Sequence, residues 1–286
     1  MATVALILHH DRPAAAKLAQ EITTWLDQRG HTVRIPVLDA ACAGLEAHAV
    51  DPLSIGLGAD VAVSLGGDGT MLRTVEIVAR AGVPVIGVNL GQLGYLTEVE
   101  PARILEALDQ FFAGAYLVEE RMMLHLSIEA AGGTIGVHEA TALNEAVLEK
   151  TLSGHTVRLD VEINGSFFTP YATDGLIVAT PTGSTAYAFS ARGPIIAPTH
   201  RALLLTPVSP HMLFDRSLVL DAETSLRLTV DGYRPAALTV DGRLLGELHE
   251  GDSITCTAAD FSARLVIFRP RDFHRILKSK FGLRDR

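Results

Sequence analysis

The chain has 286 residues, 48% of them hydrophobic and 6% aromatic, and its 24 Lys and Arg against 33 Asp and Glu leave a net charge of −9. That length can bury a core in one or two domains of ordinary size, and the acidic balance argues against a general nucleic-acid binder or a membrane-surface protein. No apolar run reaches the roughly 18 residues of a membrane-spanning helix and the start Met1-Ala2-Thr3-Val4-Ala5 has no basic n-region, so a cytoplasmic location is expected.

Val4 to Leu8 reads as a short strand. After Asp11 and Pro13, the residues Ala14, Leu18, Ile22, Trp25 and Leu26 share one helical face, and Gly30 stops the helix. The alternation continues through strands at Val33 to Val37 and Val61 to Leu65, a helix over Thr70 to Arg80, and a strand at Val85 to Val88. This is the pattern of a parallel α/β layer. A helix starting near Pro101 carries Ile104, Leu108, Phe111 and Phe112 on one stripe and ends at Gly114. The first domain is therefore expected to span residues 1–115. The two cysteines, Cys42 and Cys256, lie far apart with no second Cys near either, which suggests neither a zinc site nor a disulfide framework. Both are expected to be buried small side chains.

Within this layer, Gly66-Gly67-Asp68-Gly69-Thr70 follows directly on an apolar strand. Glycines at a strand-to-helix turn let the backbone approach a phosphate, and the helix N-terminus adds partial positive charge. A carboxylate there opposes phosphate binding: two unit charges about 4 Å apart repel by roughly 4 kcal/mol at an effective dielectric of 20. Asp68 is thus read as a participant in phosphate chemistry; the plainer alternative is a tight turn with Asp68 as helix N-cap. The loop is not a dinucleotide fingerprint, since Leu72 stands where the third glycine belongs, and no P-loop occurs. Asn89-Leu90-Gly91 and Gly94-Tyr95 follow the next strand, where open α/β sheets place ligands, and Tyr95 is either a base-stacking wall or a core aromatic.

From Met122 the period changes to two. Val157, Leu159, Val161 and Ile163 alternate with polar residues before an Asn164-Gly165 hairpin turn. Asp231-Gly232, Asp241-Gly242 and Gly251-Asp252 punctuate strands at Leu226 to Val230, Ala237 to Val240, Leu244 to Leu248 and Ile254 to Thr257. Residues 116–262 are expected to form an antiparallel β domain. Phe273, Ile276, Leu277 and Phe281 then mark a final helix face.

Three motifs fall in this half. Asn144-Glu145 offers an amide and a carboxylate at a strand edge, a pair suited to ribose hydroxyls, although such a dipeptide is also common on surfaces. Asp174-Gly175, which is otherwise only a turn, precedes the strand Leu176 to Ala179. That strand enters Thr180-Pro181-Thr182-Gly183-Ser184-Thr185-Ala186-Tyr187, a rigid, hydroxyl-rich turn with an aromatic able to stack on a flat ring. The alternative is a Ser/Thr-rich loop capping a helix that runs into Phe189.

Taken together and in this order, Gly66-Gly67-Asp68-Gly69-Thr70, Asn89-Leu90-Gly91, Asn144-Glu145, and Asp174-Gly175 followed by Thr180 to Tyr187 resemble the motifs of an NAD kinase over nearly the whole chain. The glycine-aspartate loop is shared with diacylglycerol and sphingosine kinases and, more loosely, with phosphofructokinases; the string Thr180 to Tyr187 is far more specific. The resemblance implies transfer of the terminal phosphoryl group of ATP, or of polyphosphate, to the 2′-hydroxyl of the adenosine ribose of NAD, giving NADP. It implies Asp68 as general base, with Asp68, Gly69, Arg73, Tyr95, Asn144, Glu145, His155, Asp174, Thr182, Thr185, Ala186, Tyr187, Ala188, Phe189 and Ser190 around the dinucleotide. Tyr187 is expected against the adenine, and Gly66, Gly67, Gly69 and Thr70 at the phosphoryl donor. As alternatives, Arg73 is a solvated helix residue and His155 an ordinary turn histidine.

Magnesium is expected to arrive on ATP rather than in a resident metal site. The resemblance further implies a Rossmann-like α/β domain and an antiparallel β domain forming a cleft, residues 263–286 returning to the first domain, and a homodimer or homotetramer. Two departures stand out. Relatives commonly read Ser-Ala-Gly-Gly-Pro where this chain has Ser190-Ala191-Arg192-Gly193-Pro194, and many carry Arg where Ala172 stands. They leave open NAD against NADH as acceptor and ATP against polyphosphate as donor. Arg192 either grips donor phosphates or is an exposed substitution. The competing readings are a non-catalytic NAD(P)-binding sensor and a lipid or sugar kinase.

Overall fold

The computed structural model describes residues 1–91, 94–131 and 134–283. It divides into two compact units, Met1–Glu120 with Ser262–Arg286, and Arg121–Phe261. The divisions at 120/121 and 261/262 compare with the expected 115/116 and 262/263. Both lie inside long strands, which is why no turn signal marks them.

In the first unit, β1 (Thr3–Leu8), α1 (Pro13–Asp27), β2 (Thr32–Pro36), α2 (Val37–Ala43), β3 (Ala49–Val50), β4 (Val61–Gly66), α3 (Asp68–Val78), β5 (Val85–Asn89) and α4 (Ile104–Phe112) follow in order. The sheet runs β5-β4-β1-β2-β3, with every neighbour parallel. All six residues of β4 are buried, as expected of a central strand covered on both faces. Helix α1 buries Ala15, Leu18, Ala19, Ile22 and Leu26, and α4 buries Ile104, Leu108 and Phe111. The strand order reverses between β1 and β4, and open α/β sheets bind ligands at such a switch point, outside the carboxyl ends of the strands.

Three details differ from the sequence reading. Val37 begins α2 instead of ending the second strand, because Pro36 supplies the extended residue before a helix. Helix α3 starts at Asp68, two residues earlier than expected. Cys42 lies exposed on α2, whereas Cys256 is buried and its thiol is pushed up to about 12 by burial.

The chain passes into the second unit through β6 (Leu117–Glu129). There follow β7 (Glu139–Ala142), β8 (Glu145–Lys150), β9 (Val157–Ile163), β10 (Ser166–Thr173), β11 (Gly175–Ala179), α5 (Tyr187–Ser190), β12 (Ala202–Val208), β13 (Leu218–Asp221), β14 (Leu226–Val230), β15 (Ala236–Val240), β16 (Arg243–Leu248) and β17 (Ser253–Ile267). One antiparallel sheet runs β13-β12-β11-β8-β15-β16; the other places β9 between β10 and β14, with β17 next. The β9–β10 turn holds Asn164 at φ 53° and Gly165 at φ 74°, the pair of positive φ values that a two-residue hairpin requires.

Leu148, Leu176, Val178, Leu203 and Leu205 of the first sheet face Leu159, Val161, Leu226, Leu228 and Cys256 of the second in one core. The alternate residues Val147, Ile177, Ala179 and Leu204 pack with Ala188 of α5. Strand β11 is therefore buried throughout, which hides the two-residue period in its sequence. The end of β17 belongs to the first unit, where Leu265 pairs in parallel with Val85 of β5, and α6 (Phe273–Phe281) follows. Residues 284–286 of the expected C-terminal segment lie outside the described residues. Among the described residues no helix is long and apolar enough to cross a membrane.

Candidate active site

Two groups of candidate residues form, one in each unit. In the first, the chain leaves β1 and β4 at the switch point, and the His9 N–H donates to the Leu65 carbonyl at 3.0 Å, tying the two loops together. A cavity of about 430 Å³ opens there, lined by Leu8 to Arg12, by Gly67, Asp68, Gly69 and Thr70, and by Arg73. Gly66 has no room for a side chain: a Cβ on it would lie 2.1 Å from Thr70 Oγ1.

Asp68 occupies the first position of α3, and Gly67 is the N-cap residue. The carboxylate does not cap its own helix. Oδ2 accepts the Tyr95 N–H at 2.9 Å and Oδ1 the Leu96 N–H at 3.1 Å. Each carboxylate oxygen has two acceptor sites, so one remains open on each. The Tyr95 ring is half-buried with Lys280 Nζ 5.2 Å from its centroid, and burial, with the Asp68 charge second, raises its phenol.

Arg73 is a third exposed, and its charge is paired. Its guanidinium grips Asp39 with both terminal nitrogens, at 2.9 and 2.6 Å, and also donates to the Leu8 carbonyl. Asp39, only 1% exposed, further accepts the Leu8 N–H and meets His10 Nε2, each at 2.7 Å. Arg12 is half-buried and donates to the Leu90 carbonyl at 2.8 Å; among the described residues it makes no ion pair. Sequence reasoning missed His9, His10, Arg12 and Asp39, which follow β1 or lie on α2 and carry no motif.

In the second unit, Asn144-Glu145 enters β8 on a fixed backbone. The Asp241 carboxylate accepts the N–H groups of Leu143, Asn144 and Glu145 at 2.7, 2.8 and 3.0 Å. The sequence marked Asp241 only as a turn residue; with nearly 100 positions between the partners, no local signal could have exposed this role. Glu145 is buried, its Oε2 has no hydrogen-bond partner among the described residues, and its carboxyl is pushed up to about 8 by burial first and then by Asp241, against the Tyr187 amide.

The hydroxyl-rich turn spends much of its polarity on itself. Thr180 Oγ1 donates to the Leu143 carbonyl and accepts the Gly183 N–H, while Ser184 Oγ donates to the Pro181 carbonyl and accepts the Ile196 N–H. Thr182 Oγ1 accepts from Arg121 at 3.3 Å and Thr185 Oγ1 donates to the Thr182 carbonyl. A Cβ on Gly183 would fall 2.2 Å from the Asn144 carbonyl oxygen, so this turn packs directly on the Asn144-Glu145 backbone. Thr185 and Ala186 are half-buried, Tyr187, Phe189 and Ser190 are exposed and Ala188 is buried. Asp174 pairs with Lys150 at 2.7 Å. His155 is exposed and lines a second cavity of about 280 Å³ with Lys150, Thr156, Tyr233 and Arg234. Among the described residues no cluster of three His, Cys, Asp or Glu could hold a metal ion.

This chain matches two family models, the ATP-NAD kinase N-terminal domain over residues 4–116 and the ATP-NAD kinase C-terminal domain over residues 143–268. It is 41% identical over 283 residues to an NAD kinase of Heliobacterium modesticaldum, covering 98% of each chain. With an NAD kinase of Moorella thermoacetica it shares 38% over 283 residues, 98% of this chain and 89% of the other. Among solved structures, yeast NADH kinase complexed with NADH superposes with a TM-score of 0.89 at 26% identity, covering 99% of this chain and 88% of the other. An NAD kinase from Archaeoglobus fulgidus in complex with ATP shares the fold, with a TM-score of 0.73 at 24% identity and 99% coverage of both.

Proposed function

The chain belongs to the NAD kinase family, and from that premise we propose that Asp68 is the general base for phosphoryl transfer from ATP to the 2′-hydroxyl of the adenosine ribose of NAD. The observation that carries this reading is the hold on the carboxylate. Two backbone amides from outside α3 fix Asp68 beside a cavity and leave lone pairs on both oxygens. As the ribose oxygen bonds to the γ-phosphorus, its proton passes to Asp68 and the bond to the β–γ bridging oxygen breaks, with ADP leaving on that electron pair. Most of the rate then comes from positioning and charge neutralisation.

His9, His10 and Asp11 line that cavity, and Arg12 with the amides of Gly67, Gly69 and Thr70 supplies positive potential for a polyphosphate donor. Arg73, paired to Asp39, acts there by holding His10 and the end of β1. Magnesium is assigned to the ATP substrate, since a dedicated cage takes several oxygen ligands. In the second unit, Glu145 Oε2 is a buried orphan of the kind a ribose hydroxyl satisfies, and exposed Tyr187 and Phe189 provide apolar faces for the dinucleotide. Gly69, Tyr95, Asn144, His155, Asp174 and the turn from Thr182 to Ser190 complete the proposed NAD set. A homodimer or homotetramer in the cytoplasm is the assembly and setting we propose.

Purified protein with magnesium-ATP and NAD should form NADP, and Asp68→Asn should lower turnover by at least about 100-fold while NAD binding survives. Phosphate appearing on another alcohol would indicate a lipid or sugar kinase; NAD binding without turnover would indicate a sensor. An unaltered rate in the Asn variant refutes the base assignment.

A further inference from the structure

Arg271 lies between β17 and α6, about 200 residues from the glycine loop, and its side chain is 9% exposed. Its terminal nitrogens donate to the Leu96 carbonyl at 2.9 Å and, more weakly, to the Tyr95 carbonyl at 3.5 Å. Those carbonyls belong to the two residues whose N–H groups hold Asp68. We propose that Arg271 is a positioning residue for Asp68, acting through the backbone of Tyr95 and Leu96.

The connection is direct. In the peptide joining Tyr95 to Leu96, the carbonyl receives the guanidinium and the N–H meets Asp68 Oδ1, so one planar unit links cation to carboxylate. Hydrogen bonds in such a chain polarise one another. Residues 94–96 belong to no helix or strand, so hydrogen bonds from side chains contribute to the order of their amides. Arg271 can supply it because it is itself fixed: Nε donates to Glu98 Oε2 at 3.2 Å and a terminal nitrogen lies 3.8 Å from Glu119. The two carboxylates offset its charge. What it delivers to the site is its rigid planar fork, which a lysine cannot copy.

The inference rests on Asp68 as general base, and a double-mutant cycle separates the two. Steady-state kinetics are measured for the wild type, Arg271→Met, Asp68→Asn and the double variant, with thermal unfolding of each. Displacement of a reacting group by about 1 Å costs on the order of 100-fold. Arg271→Met is accordingly expected to lower kcat by about 10- to 100-fold with KM for NAD held within about threefold. In the Asp68→Asn background the same change should have less than about a twofold effect, because the group it positions is already disabled.

Arg271→Lys keeps a cation beside Glu98 and Glu119 and is expected to stay folded while recovering only part of the rate. If Arg271→Met does not fold, the same cycle is run with the lysine variant. Equal fold-losses in both backgrounds, a wild-type kcat, or a loss confined to KM would overturn the positioning role alone. A wild-type rate in Asp68→Asn would overturn the base assignment and this role with it.

Discussion

The α-carbon of Gly94 faces the Asp68 carboxylate so closely that a Cβ there would lie 2.0 Å from Oδ1 and 2.7 Å from Cγ. Glycine at 94 is thus a requirement of space. Gly94→Ala must push the carboxylate off the Tyr95 and Leu96 amides or shift those amides. Turnover should fall by about tenfold or more with little change in KM for NAD, the signature of a misplaced reacting group. Steady-state kinetics check this; a wild-type kcat would mean that the carboxylate does not need its present seat.

Asp39 is the anchor beneath the same cavity, taking four hydrogen bonds from Leu8, His10 and Arg73. Asp39→Ala leaves the Arg73 cation and the Leu8 amide without their acceptor. Breaking a buried ion pair typically costs about 3–5 kcal/mol, and the lower end applies because Arg73 is a third exposed. Urea unfolding should report that loss, with a smaller one for Asp39→Asn.

Arg192 adopts φ 66°, a left-handed conformation that glycine takes without strain. Its side chain is exposed. Arg192→Gly should stabilise the protein by about 0.5–1 kcal/mol, since relief of strain exceeds the added freedom of the unfolded chain. KM for ATP should stay within about twofold of wild type; a larger rise would assign the guanidinium to donor phosphates.

Glu145 gives a dependence on pH with a defined sign. Its folded carboxyl titrates at about 8, raised from 4.5 by burial and then by Asp241. The folded state therefore holds the proton more tightly than the unfolded chain, and this contribution to stability is complete below about pH 4.5 and lost as pH rises through about 8. Glu145→Gln, which mimics the protonated form, should unfold at a higher urea concentration than wild type near about pH 8.5 and show little advantage near about pH 5. A constant difference between the two would mean that Glu145 is charged at both.

Much of this protein is legible in its residue order because the signals are local. Val4 to Leu8 is a continuous apolar run, and Val61 to Leu65 one broken only by Ser64, because parallel strands are buried on both faces, and Val157 to Ile163 alternates because one face of its sheet is wetter than the other. Asn164-Gly165 announces its turn because Asn and Gly adopt the required positive φ values more readily than other residues. The glycine-aspartate loop and the Thr180 to Tyr187 string identify the family in the same way, as short runs with local backbone demands.

What only the tertiary structure decided is who holds whom. Asp68 sheds its alternative as an N-cap when Tyr95 and Leu96 take its oxygens, Arg73 its alternative as a solvated helix residue when Asp39 closes on it, and Asp241 reads as a turn until it gathers three amides of residues 143–145. Arg271 leaves no trace near the loop it reaches. Periodicity and turn chemistry act over a few residues and are written along the chain. Hydrogen bonds between distant segments form only after those segments are packed side by side, and the positions of the functional groups depend on them.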